Sequence, residues 1–390
     1  MREAANVAPK ARDLDFTRLE ALMRTTGARG PLRVTEMAGG ASTRRYFRVV
    51  DGSAEGGTSQ TPVDVPSART AVAMFVPEGA KPEEIAKDTS VPQLHNGRWP
   101  FLEVRDLLEK SGVHVPALYA EDQEHGWLLL EDLGDDTLAN HLAQTSDPSA
   151  RERLYRQAVL DLARAQRALA TLPADSIVSS RAFDADLLRW EIDHFREWGL
   201  EARGHVLPPS SREAFDAIAM RLADRIASWP RGFVHRDYQS RNLMVRPNPK
   251  DVIERQLCWI DFQDALLGPP VYDLVALLND SYQTFDRAFV EARLHDYAEA
   301  MMFAEDRYQT LLEQFDYVTV QRKLKDAGRF VFIDRTKGNP AFLRFVTPTI
   351  SKVGQSLDRL KDRDPDMRAL KELLIQAVSG EIDALPQPIR

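Results

Sequence analysis

The sequence predicts an α+β protein in two parts, a small sheet-rich first part and a larger, mainly helical second part. Three observations point there. At 390 residues the chain is long enough for two hydrophobic cores. Short apolar or alternating runs cluster early, at residues 34–50, 70–76 and 127–130. After residue 131 apolar residues recur mostly at helical spacing.

In chain order, Leu14, Phe16, Leu19, Leu22 and Met23 predict an amphipathic helix over 14–25. Residues 34–50 read as strand, small-residue turn, strand. Gly39, Gly40, Ser42 and Thr43 in that turn would admit an anion such as phosphate against backbone amides, with Arg44 or Arg45 adding charge. A plain hairpin turn uses the same residues. Residues 51–70 are a Gly-, Ser-, Thr- and Pro-rich loop, and 70–76 the next strand. A helix over 101–110 stops at Gly112, and Val113 begins an extended segment. The buried strand 127–130 breaks at Glu131, Asp132, Leu133 and Gly134.

In the second part Ser149 and Glu152 have capping-box spacing, and Leu154, Ala158, Val159, Leu162, Ala165 and Leu169 mark the packed face of the helix that follows. Residues 183–199 predict another helix whose aromatics belong to the core. Residues 271–278 predict a buried helix in which Asp273 is costly unless paired, with Arg236 or the amides near His235 as partners. From about 285 the chain is mostly helical, and the run Gln321, Arg322, Lys323, Leu324, Lys325 is its main polar feature.

Hydrophobic residues at 43% and charged ones at 28% fit a water-soluble globular chain. A net charge of −8 argues against nucleic acid or an anionic membrane as partner, and leaves room for a local phosphate pocket. No signal peptide or membrane span is apparent. Cys258 is the one cysteine, so no disulfide can form within the chain and a cytoplasmic setting is expected.

The chemistry concentrates between residues 233 and 264. Two short apolar runs, 243–245 and 257–260, flank a polar connection and predict a β-hairpin. Antiparallel pairing sets the start of one strand opposite the end of the other, which brings Asn242 beside Asp261. An amide oxygen and a carboxylate there form a hard-oxygen site suited to Mg²⁺. Asp237, one loop earlier, would accept a hydroxyl proton while the metal holds ATP phosphates.

The spacing Asp237-x-x-x-x-Asn242, with Asp261-Phe262 after the next strand, resembles the catalytic loop and metal site of the protein-kinase-like phosphotransferases. More narrowly, His235-Arg-Asp-Tyr238, Ser240-Arg-Asn-Leu-Met244, Asp261-Phe-Gln-Asp264 and Gly268-Pro-x-x-Tyr-Asp-Leu274 resemble the aminoglycoside and choline phosphotransferase superfamily. Within it they resemble bacterial kinases of the anomeric hydroxyl of N-acetylmuramate and N-acetylglucosamine. The resemblance runs from about 39 to about 283. It implies a bilobal fold with an N-lobe over 1–131 and a C-lobe over 132–390, and ATP between them. It also implies phosphate contacts at Gly40, Ser42, Thr43 and Arg44, and adenine pairing to backbone around Glu131 and Leu133. His235 and Asp273 would support the catalytic loop from behind.

One departure stands out. The strand that carries an ATP-phosphate lysine in kinases generally has Met74-Phe75 here. The anomeric-sugar kinases tend to lack that lysine too, and Arg44, Arg45, Lys81 and Lys87 are candidates to replace it. The acceptor is expected to be a sugar, contacted by Gln239, Gln263 and Asp264, and the chain a monomer or weak dimer. An aminoglycoside, choline or amino-alcohol kinase is the alternative, and a non-catalytic pseudokinase a third reading.

Overall fold

The computed structural model describes residues 14, 16–37, 44–52, 70–77, 97–145, 147–248 and 251–384, apart from the side chains of 148, 248 and 251–255. The chain divides into two compact units, Met1–Pro100 with Val115–Gly134, and Phe101–His114 with Asp135–Arg390.

The first unit is built on strands β1 (Leu32–Glu36), β2 (Arg45–Asp51) and β3 (Thr70–Phe75) with helix α1 (Thr17–Thr25). Helix α2 (Pro100–Lys110) intervenes in sequence before β4 (Leu118–Asp122) and β5 (Trp127–Glu131). All neighbours in the order β1-β2-β3-β5-β4 are antiparallel. Alternation sends Phe47, Val49, Ala71, Ala73, Trp127 and Leu129 to one face, where Leu19 and Met23 of α1 cover them. Leu14 and Phe16 pack there too, although the helix begins only at Thr17. Gly126 turns β4 into β5 at φ 83°, and a β-carbon there would stand 2.4 Å from the Val76 carbonyl oxygen, so no other residue fits. Met74, on the sheet's other side, is in register with Tyr46 and Leu128.

Residues 101–114, expected with the first part, belong to the second unit. Three contacts within that unit explain it: Phe101 stacks on Phe262 at 5.0 Å, Glu103 accepts the Ile177 amide, and the His114 carbonyl accepts the Trp259 amide. The short segments that carry the site are β6 (Gly232–Val234), β7 (Leu243–Asn248), β8 (Asp251–Trp259) and β9 (Leu266–Gly268), paired β6 with β9 and β7 with β8. Around them stand α3 (Leu138–Gln144), α4 (Pro148–Ala168), α5 (Ala185–His194), α6 (Pro209–Ala227) and α7 (Val271–Leu278). The chain ends in α8 (Arg287–Ala300), α9 (Glu305–Lys337), α10 (Val346–Leu360) and α11 (Pro365–Ile382).

Local chemistry moves some boundaries. The cap of α4 is Asp147, which accepts the Ser149 amide, with Pro148 in the first turn; Ser149 is not the cap. α5 passes directly into a π-helical turn, Phe195–Leu200, so the helix expected over 183–199 has two windings. β7 and β8 extend through residues expected to form a polar connection, with a register shift at Pro247. Among the described residues no helix is long and apolar enough to cross a membrane.

Candidate active site

The β7–β8 pair aligns Leu243 with Trp259, and the Ile260 amide donates to the Asn242 carbonyl at 3.0 Å. Asn242 and Asp261 therefore leave the ribbon at the same end. Asn242 Nδ2 donates to the Asp237 carbonyl at 2.8 Å and to Asp261 Oδ2 at 3.3 Å. With Nδ2 spent on two acceptors, Oδ1 is the Asn242 atom that can serve a cation. Asp261 sits at φ 62°, a left-handed conformation that costs a non-glycine residue about 1–3 kcal/mol unless its surroundings impose it. Gln263 imposes part of it, donating from Nε2 to Asp261 Oδ1 at 3.0 Å and to Asp264 Oδ2 at 2.8 Å. Arg181 in turn donates to the Gln263 carbonyl at 3.1 Å.

The loop from His235 to Gln239 follows β6 and leads into a 3₁₀ turn, Ser240–Asn242. Asp273 of α7, fully buried, accepts the amides of His235 at 2.7 Å and Arg236 at 2.9 Å. Burial pushes its carboxyl up to about 7, against the pull of those two amides and of Arg322. The Arg236 guanidinium reaches Glu191 instead, at 3.4 Å, and Arg236 itself is left-handed at φ 79°. Asp280 anchors the loop's far end by accepting both the amide, at 2.9 Å, and the hydroxyl of Ser240. Lys352 of α10 secures that segment through the carbonyls of Asp280 at 2.5 Å and Gln283 at 2.7 Å.

Asp237 stands at the centre with its side chain 33% exposed. Its Oδ1 accepts from Arg322 at 3.2 Å. Burial pushes this carboxyl up, but Lys325, Arg322 and Arg236 more than offset that and hold it at about 2. It is thus a carboxylate at neutral pH. His235, fully buried between the edges of Tyr238 and Trp259, is pushed down to about 4 by burial, so it is neutral and part of the core.

Only some of the residues expected around the nucleotide are described. Gly40, Ser42 and Thr43 lie outside the described residues, as do Lys81 and Lys87. Arg44 is half-buried just before β2, and Arg45 pairs with Glu36 at 2.8 Å. The Glu131 amide donates to the Ala117 carbonyl at 2.8 Å, so that N–H is already used; Leu133 follows in the segment where Asp132 pairs with Arg48 at 2.9 Å. Gln239 is half-buried beside Asp237 in sequence, and its amide donates to the Asp237 carbonyl at 2.9 Å. Gln263, expected at the acceptor, is tied to Asp261 and Asp264.

Sequence reasoning missed Arg322, Asp280, Lys352 and Glu191. The one signal available was a run of charges inside a helix that had to be largely buried. Among the described residues no group of three or more His, Cys, Asp and Glu is placed to hold a metal ion. The Asn242 and Asp261 oxygens instead suit a hard cation that takes its other ligands from phosphate and water.

Comparison with known proteins identifies the family. Residues 33–311 match the phosphotransferase enzyme family. An N-acetylmuramate/N-acetylglucosamine kinase of Pseudomonas putida is 32% identical over 310 residues, 78% of this chain and 84% of the relative. A kinase of the same name from Pseudomonas aeruginosa is 31% identical over 361 residues, 90% of each chain. The solved gentamicin–APH(2")-IIa complex aligns with a TM-score of 0.53 at 12% identity, over 91% of this chain and 98% of that one. ADP-bound APH(2'')-Ib gives 0.51 at 13% identity, over 88% and 99%. At such identities these two structures bear on the α+β, protein-kinase-like fold alone. The family match spans most of the chain, and with it the chain belongs to the phosphotransferase enzyme family and is a kinase.

Proposed function

We propose that the protein is an ATP- and Mg²⁺-dependent kinase that phosphorylates the anomeric hydroxyl of an N-acetylated amino sugar of the N-acetylmuramate or N-acetylglucosamine type. The observation that carries the reading is the meeting of Asp237, Asn242 and Asp261 through the two hydrogen bonds of one side-chain amide. Asn242 Oδ1 and Asp261 would hold the Mg²⁺, which when bound neutralises phosphate charge.

The Asp237 carboxylate orients the acceptor hydroxyl and takes its proton as the oxygen bonds to the γ-phosphorus and the bond to the ADP oxygen breaks. A carboxyl held near 2 is a weak base. That suffices, because the hydroxyl acidifies late in a loose transition state. Catalysis then rests mainly on position, which explains the density of bonds from Asp273 and Asp280 to this loop and from Gln263 to Asp261.

Gln239 and Asp264 are the proposed acceptor contacts, and Gln263 acts on the acceptor through the groups it holds. A choline-type cation would need aromatic faces, and Tyr238 and Trp259, next to the motifs in sequence, are buried against each other at 4.5 Å. Phosphate contacts at Gly40, Ser42, Thr43 and Arg44, and adenine contacts of the Glu131–Leu133 backbone, belong to the same proposal.

The test is an ADP-release screen over N-acetylated sugars, aminoglycosides and choline, with NMR of the product. Phosphate on the anomeric carbon of an N-acetylated sugar is expected. Turnover confined to an aminoglycoside or an amino alcohol would overturn the acceptor assignment.

A further inference from the structure

The charged run at 321–325 lies in the middle of α9, a helix so enclosed that Phe315 through Leu324 are all buried. Arg322 is 1% exposed, and a guanidinium in such a place costs several kcal/mol unless it is paired and hydrogen-bonded. A leucine or methionine would fill the volume without that cost. The chain instead directs the cation at the catalytic loop. One terminal nitrogen donates to the Arg236 carbonyl at 2.7 Å, the other to Asp237 Oδ1 at 3.2 Å. The guanidinium lies over the Tyr272 ring, 4.7 Å from its centroid.

The two contacts act on neighbouring points of the backbone. The Arg236 carbonyl belongs to the residue held at φ 79°, whose own amide is gripped by Asp273. Arg322 therefore clamps the far side of the peptide that sets the direction of Asp237, and occupies Oδ1 of its carboxylate. Oδ2 is left to meet the acceptor hydroxyl. A planar fork can serve a carbonyl and a carboxylate at once, whereas an ammonium is a point charge with no fixed plane.

We propose that Arg322 is a positioning residue for phosphoryl transfer: it fixes the Asp237 carboxylate, through Oδ1 and the Arg236 peptide, so that Oδ2 faces the acceptor. This rests on the reading of Asp237 as the base. A shift of about 1 Å in a catalytic group costs on the order of 10²-fold in rate, so replacing the fork should act on kcat and hardly on nucleotide binding.

The experiment is a double-variant cycle on the full chain. Arg322→Lys and Arg322→Gln are each made alone and in an Asp237→Asn background, with residual turnover followed by radiolabelled ATP. The expected result is a fall of about 10²-fold in kcat for either single variant, with ATP affinity and KM for ATP unchanged within about threefold. In the Asp237→Asn background the same changes should alter the residual rate by less than about threefold, because the group they position is already lost. An equal fall in both backgrounds, or a fall that follows lost ATP affinity or a lowered melting temperature in both Arg322 variants, would make the role merely structural and overturn the proposal. Wild-type turnover in Asp237→Asn alone would instead sink the base assignment, so the two failures are told apart.

Discussion

In the first unit the side chains that meet on the sheet are apolar, and the ion pairs Arg45 with Glu36 and Arg48 with Asp132 stand outside that cluster. In the second, the wall behind the catalytic loop buries Glu191, Asp273, Asp280, Arg322 and Lys323 almost completely. The first arrangement gains its stability from area removed from water and tolerates the loss of an exposed charge. The second depends on complete pairing, since a buried charge that loses its partner is worse than none. One unit is held by volume, the other by direction, and direction is what a positioned carboxylate needs.

The largest effects should come from the directional side. Asp237→Asn is expected to lower kcat by about 10²–10⁴-fold while ATP affinity in Mg²⁺ stays within about threefold, by coupled assay and calorimetry. Asp261→Ala should instead abolish the Mg²⁺ dependence of nucleotide binding. Retained Mg²⁺ dependence would remove Asp261 from the metal site.

The next largest effect tests the volumetric side. Trp127 touches Phe16, Phe47 and Phe75, and Trp127→Ala should cost about 3–5 kcal/mol in urea unfolding. Glu20→Ala, on the exposed face of α1, should cost less than about 1 kcal/mol. Comparable losses for the two would break the contrast between units.

The smallest effect concerns Asp161 of α4, pushed up from 3.8 to about 6 by burial despite its partner Arg164. The folded chain holds that proton more tightly than the unfolded one, so this group makes stability fall as pH rises from 3.8 to about 6. Asp161→Asn should therefore be more stable than wild type by about 1–2 kcal/mol at pH 7, with the gain fading below pH 4. A gain that persists in acid would place the cause elsewhere.

Which parts of this were legible in advance follows from the range of the forces involved. Asn242 and Asp261 were placed together because hairpin register is local and periodic. Asp273 announced itself as a charge inside an apolar helix, and its partners proved to be the two amides. Arg322 did not, because its target lies 85 residues earlier and only the packing of α9 brings the two together. The assignment of residues 101–114 failed for the same reason, since Phe262 and Ile177 are remote in sequence. Asp147 could have been read as the cap of α4, since Asp-Pro is a strong helix start that outweighs the capping-box spacing.

The lone thiol gives the ribbon a reporter of its own. Cys258 is 3% exposed on β8, opposite Met244, three residues before Asp261. A thiol-reactive dye reaches it when the packing over the ribbon opens, so its labelling rate clocks the exposure of the ribbon that carries Asn242 and Asp261.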